Sequence, residues 1–256
     1  MKKFCRLSNC FVAATFLVIL FSQVASAFEI GARGYLWFPT LKSNLRDSGN
    51  STPGTEFNLK DDLGLGSKPY PSIEVYGGLG KSHVSLMYTQ AEYSGSTSLI
   101  SPITFNGTPF NIGAVDSTFK ITMLDLAYKY DIIDLGNILA GFSISAIGKL
   151  KYIEGETAIA SGGLQSSGNF KLPVPMVGAA AHIGILANIL EARAELTGIA
   201  YSGNYIYEAL ADLSFTPFPF VDINGGYKII GIHVDYNDIY FASDIAGPYL
   251  ALTVGF

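Results

Sequence analysis

From residue 28 onward, apolar and polar positions alternate in short runs. The sharpest run sets Leu190, Ala192, Ala194 and Leu196 against Glu191, Arg193, Glu195 and Thr197. A period of two puts the first set on one face of a β-strand and the second on the other. Residues 28–38 repeat the pattern, with Ile30, Ala32, Gly34, Leu36 and Phe38 against Glu29, Gly31, Arg33, Tyr35 and Trp37. So do 72–77, 83–93, 115–130, 138–153, 170–186, 205–216, 221–234 and 245–256, which gives ten strands in all.

The connections sort by position in that series. Those after odd strands include every long one, at 39–71, 94–114, 154–169 and 235–243, while those after even strands are short. An even count brings both chain ends to one side, where the first and last strands pair. The expected fold is therefore all-β, an antiparallel up-and-down transmembrane β-barrel of about ten strands, with eight and twelve as the neighbouring even counts. Two connections carry structure of their own. Asn106-Gly107 is a type I′ hairpin signal between apolar stretches, predicting a hairpin that projects beyond the membrane. Residues 57–65 have an apolar rhythm inside a polar loop, predicting a short helical turn or lid over the barrel mouth, whose leucines pack on rim aromatics or, as the alternative, which gates the lumen.

Composition narrows the class. Mean hydropathy is +0.32, yet no run after residue 27 approaches the roughly 20 apolar residues of a spanning helix. Hydrophobicity dispersed in this way suits lipid-facing strands, and 28 Gly, 15 Tyr and 17 Phe suit turns and interfacial girdles. Residues 1–27 read as a secretory signal peptide: Lys2, Lys3 and Arg6, an apolar core, then Ala25-Ser26-Ala27 before the cut. Cys5 and Cys10 leave with it, so the mature chain, 28–256, has no thiol chemistry. Thirteen Lys+Arg then face 21 Asp+Glu, a net charge of −8, which offers nothing to nucleic acid.

The end of the chain carries a resemblance. Leu250, Leu252, Val254 and Phe256 share one face, Tyr249, Ala251, Thr253 and Gly255 the other, and the chain stops on Phe256. This is similar to the C-terminal signal of bacterial outer-membrane barrels, which implies a membrane-insertion role for Tyr249, Leu250, Leu252, Val254 and Phe256. With the leader, the alternation and the loop asymmetry, the whole mature chain resembles the small outer-membrane β-barrels, nearest the OmpW-like and OmpA-barrel-like groups. The resemblance implies residence in the outer membrane of a Gram-negative (diderm) bacterium after cleavage near Ala27. It implies as partners outer-membrane lipid, the barrel assembly machinery and small hydrophobic or polar solutes. It also implies passive handling of such solutes without catalysis.

The polar residues on the inner face are Glu29, Arg33, Glu74, Asp125, Lys129, His182, Glu191, Arg193, Glu195, Glu208 and Asp212. In a narrow lumen such groups are expected to pair with one another or with trapped water. The leading expectation is a non-enzymatic narrow channel or binding barrel for small solutes, and the alternative is a structural or surface-interaction barrel with a sealed lumen. Two hydrolase classes form a minor alternative. Lipid A deacylases use a His and a Ser two apart on one strand, as in His83-Val84-Ser85, although here His83 directly follows a turn on the chain-end side. Omptin proteases set Asp/His and Asp/Asp pairs at the outer rim, for which His233 with Asp235 and Asp61 with Asp62 are the candidates; their order and spacing differ from the omptin motifs. No metal-ligand spacing, nucleotide loop or cofactor motif is present.

Overall fold

The computed structural model describes residues 28–48, 52–135, 141–186, 189–236 and 239–256. The expected leader, the expected start of a strand at 138 and the turn near Asn188 lie outside the described residues. Ten antiparallel strands form a closed ring: β1 (Phe28–Trp37), β4 (Tyr70–Leu79), β5 (Ser82–Leu99), β8 (Gly113–Leu135), β9 (Phe142–Ser161), β10 (Leu164–Leu186), β11 (Leu190–Tyr201), β12 (Asn204–Phe218), β13 (Val221–Tyr236) and β14 (Ile239–Gly255). β1 pairs with β14 to close it, from Gly31↔Gly255 to Trp37↔Tyr249. Mutual backbone bonds between Ile30 and Phe256, 3.0 and 2.8 Å long, seal the seam. We call the rim bearing both chain ends the terminal rim and the opposite one the distal rim.

Period-two alternation decides what faces out. On β5 and β8, Val84, Leu86 and Tyr88 lie opposite Tyr128, Leu126 and Leu124, and all six are exposed. Similar residues continue around the ring, among them Ile73, Val75, Leu213, Ile223, Leu250 and Leu252. A continuous apolar belt on a closed sheet is the surface a lipid bilayer covers, and closure leaves no unpaired backbone within it.

Beyond the belt the wall departs from expectation. Residues 154–169, expected as a long loop, are strand on both sides of a two-residue turn at Gly162-Gly163, with the ladder unbroken from Leu164↔Ser161 downward. The connection expected at 235–243 is also mostly strand, since β13 runs to Tyr236 and β14 starts at Ile239. The cause is the same in both places. Above the bilayer the outer face meets water, so alternation survives with its polar side out, as in Ile153 and Ile159 inside against Glu154 and Glu156 outside. The connection 39–71 likewise begins with β2 (Thr40–Asp47), which keeps the β1 register on β14 (Leu36↔Leu250, then Thr40↔Ala246) across an interruption at Pro39.

The rest of that connection enters the barrel. β2 pairs with β3 (Phe57–Asn58), after which a strap carries Leu59, Leu63 and Leu65 inside, each at most 1% exposed. Fully burying a leucine is worth about 1.5–3 kcal/mol, so the strap is held mainly by its side chains. The Leu59 N–H donates to the Ser43 carbonyl at 2.9 Å, and the Ser117 hydroxyl donates to that of Leu63 at 2.9 Å. Gly95 on β5 permits the close approach, since a Cβ there would fall 2.6 Å from the Leu63 oxygen. A second insert, β6 (Ile103–Phe105) and β7 (Thr108–Phe110), turns at Asn106-Gly107, both with positive φ. The hairpin is the one the sequence predicts, but it folds inward and does not project: Ile103, Phe105 and Phe110 are buried, with Phe105 against Phe57 at 6.0 Å. Three adjacent apolar side chains have more to gain inside the mouth than in water.

One wall is incomplete. β10 pairs with β11 only from Val177↔Gly198 toward the terminal rim, so its edge from Leu164 to Met176 joins no strand ladder among the described residues, and the hairpin covers part of it, with Asn106 donating to the Ser167 carbonyl at 2.9 Å. Pro173 and Pro175 lie on that edge, beside the point where the ladder stops. Neither has an N–H to offer a neighbouring strand.

Candidate functional site

All eleven inner-face candidates line a single cavity of about 400 Å³ inside the terminal half of the barrel. Each arrives there because its strand alternates. Arg193 and Glu195 are inside for the same reason that Ala192, Ala194 and Leu196 are outside.

The cavity has two zones. Near the terminal rim stand Glu29, Lys129, His182 and Glu191, joined by His83, Asp131 and Asp222. His83 bridges two strands, 3.4 Å from Glu29 Oε2 and 3.1 Å from Asp131 Oδ2. Ser145 donates to the other Asp131 oxygen at 2.6 Å. His182 lies 3.1 Å from Glu191. Lys129 has no ion pair within 4.0 Å among the described residues, so of the three cations expected to neutralise the acids only Arg33 and Arg193 do so directly.

Farther in, charges are paired and buried. Arg33 lies 3.5 Å from Glu74 and donates to Thr253 at 2.6 Å and Tyr35 at 3.2 Å, while the Tyr35 hydroxyl donates to Glu74 at 2.6 Å. Arg193 meets Asp212 at 2.5 Å, and Asp212 also accepts from Tyr249. Tyr249 thus faces the lumen, one residue out of phase with the lipid-facing Leu250, and its part in the C-terminal pattern is internal. The innermost group contains residues absent from the inner-face candidates. Lys151, fully buried, meets Asp125 at 2.6 Å and Glu208 at 2.9 Å; Lys149 meets Glu208 at 3.0 Å and Glu195 at 3.2 Å; Lys228 lies 3.6 Å from Glu208 and 5.5 Å over the Trp37 ring. Five cations (Arg33, Lys149, Lys151, Arg193, Lys228) therefore stand among five carboxylates (Glu74, Asp125, Glu195, Glu208, Asp212), and the inner zone is neutral. The signal for the missing lysines was available: Ser143 and Ser145 set the inward phase of β9, and Lys149 and Lys151 continue it.

Above this layer the interior turns apolar. Tyr93, Phe119 and Phe241 follow one another at 6.1 Å spacing, with Ile121, Ile153, Ile230 and Ile245 all buried and the strap and hairpin over them. The lumen is closed twice, by paired charge and then by hydrocarbon.

The hydrolase candidates are dispersed. His83 and Ser85 both face the cavity, but from the terminal rim. His233 faces outward on β13, stacked on Tyr205 at 5.3 Å. Asp235 pairs with Arg46 at 3.6 Å, and Asp62 accepts the Asn58 N–H within the strap at 2.7 Å. No group of three His, Cys, Asp or Glu side chains suited to a metal occurs among the described residues.

No protein-family model matches the sequence, and no curated protein matches it. Solved structures do. The outer membrane protease OmpT from Escherichia coli superposes with a TM-score of 0.56 at 10% identity, covering 89% of this chain and 97% of its own. The translocator domain of the autotransporter NalP from Neisseria meningitidis gives 0.43 at 9%, covering 96% and 97%. The attachment invasion locus protein Ail of Yersinia pestis gives 0.36 at 12%, covering 88% and 98%. At these identities the likeness is one of fold. The chain has the closed antiparallel fold of the outer-membrane β-barrels.

Proposed function

We propose that this chain is a non-enzymatic outer-membrane barrel with a sealed lumen, which acts through its outer wall and distal surface and not by passing solutes. The observation that carries this reading is the inner ion-pair layer around Lys151, beneath an apolar plug. A hydrated ion entering from the terminal rim, taken as the periplasmic side, meets an ion-pair layer with no net charge and then a region with nothing to replace its water. The non-enzymatic reading is preferred because His83 and Ser85 share the cavity only at the terminal rim, and the His233/Asp235 pair on the outer wall lies apart from Asp61 and Asp62 in the strap.

The test is single-channel recording in planar bilayers. The protein is expected to insert, as shown by its folded band on unheated gels, and to pass no stepwise current. Steady conductance steps would overturn the sealed reading in favour of a channel. A second reading keeps a role for solutes: the cavity opens toward the terminal rim, where Glu29 is half exposed, and forms a dead-end vestibule for small polar molecules. Saturable solute binding without conductance would select it.

A further inference from the structure

On the outer face of the distal half, four strands bring a set of rings and cations together. The register aligns Tyr205 on β12, His233 on β13 and Ala242 on β14 in one row; the row farther from the belt holds Asp235, Tyr240 and Arg46, and the row nearer it holds Tyr207, Gly231, Asp244 and Lys42. Tyr205 lies against His233 at 5.3 Å and 13°, and against Tyr207 at 6.3 Å and 25°. Tyr240 meets the His233 ring edge-on at 5.6 Å, with the Arg46 guanidinium 5.3 Å over it. Both Tyr205 and Tyr207 are exposed. Gly231 leaves the space over which the Tyr207 ring lies, because a Cβ there would overlap that ring.

This platform continues the lipid-facing belt, where Tyr227, Ile223, Leu250 and Leu252 are exposed directly below it on β13 and β14. Whatever covers the belt with acyl chains must place its headgroup here. An acyl chain needs neither cations nor aligned ring planes. A sugar ring presents a C–H face that packs on an aromatic plane, and a phosphate on it is met bidentately by a guanidinium. Arg46 is held by Asp235 at 3.6 Å with both side chains well exposed, a pairing weak enough to exchange for a phosphate. Lys42, exposed one row below, adds a second cation.

We propose that this face docks the phosphorylated sugar headgroup of an outer-leaflet glycolipid. The proposal rests on the outer-membrane placement argued above. The probe is fluorescent diphosphorylated lipid A, titrated against the folded protein in detergent micelles, with phosphatidylglycerol as competitor. Saturable binding that phosphatidylglycerol displaces poorly is expected. Arg46→Ala with Lys42→Ala should weaken it tenfold or more, and Gly231→Ala, which removes no ligand group but pushes Tyr207 aside, severalfold. Lys120→Ala, an outward lysine on β8 paired with Glu156 at 3.9 Å, should leave binding unchanged. Equal loss in the Lys120 variant, or equal affinity for phosphatidylglycerol, would overturn the proposal and leave the barrel reading intact. Absence of any heat-modifiable folded band in micelles would overturn both.

Discussion

Lys151 shows what one residue does in this interior. Its ammonium is fully buried and touches two carboxylates. Withdrawing it strands Asp125, while Glu208 keeps Lys149 and Lys228, and breaking a buried pair from one side costs about 3–5 kcal/mol. Lys151→Met is therefore expected to lower the unfolding free energy by about that amount in guanidinium titrations of the micelle-bound protein. Lys151→Met with Asp125→Leu should recover much of the loss, because the second change removes one uncompensated charge. A double variant no more stable than the single one would mean that Asp125 is satisfied by something other than Lys151. The inward phase that places Lys151 was readable from Ser143 and Ser145. Which acid each cation chooses was not, because strands far apart in sequence set those distances. Lys129, on the same face as Asp125, has no ion pair within 4.0 Å among the described residues, and no local pattern distinguishes it from Lys151.

Among the elements, those in the membrane were legible and those above it were not. Inside the bilayer one face must be apolar, so Leu124, Leu126 and Tyr128 announce a strand. Above it the wall has water outside and packing inside, and Leu41 and Leu45, against Lys42, Asn44 and Arg46, announce the same structure with the sense reversed. A search for greasy outer faces reads such stretches as loops. The strap is a different case: its leucines predicted packing over the mouth, but the wall it meets depends on Gly95, about 30 residues later. Gly95→Val would push the Leu63-Gly64 backbone off β5. The folded band on gels is expected to persist while trypsin cuts at Lys60 about tenfold faster, the effect of about 1.4 kcal/mol on local opening. An unchanged cutting rate would show that the strap is held elsewhere.

For the whole molecule, the division of the interior matters more than its strand count. One half is charged, with a balanced inner layer, and the other is apolar, so the two seals fail under different conditions. Displacing the strap alone leaves the ion-pair layer in place, and the Gly95 variant should remain electrically silent in planar bilayers. Current from that variant would show that the apolar plug is the only barrier.

Pro173 and Pro175 have a consequence for life among copies. Molecules confined to a membrane meet often and always the same way up, so two β10 edges would approach running in parallel. Parallel pairing is slightly weaker per residue than antiparallel, but it is still an invitation to permanent association. Two missing amide protons withdraw it at the point where the wall leaves the lipid. Pro173→Val with Pro175→Val is expected to produce dimers that survive on unheated gels, whereas the natural sequence stays single. An unchanged monomer band in that variant would remove this role from the prolines. If the role holds, two imino acids beside a gap in the wall keep crowded neighbours from zippering into a raft.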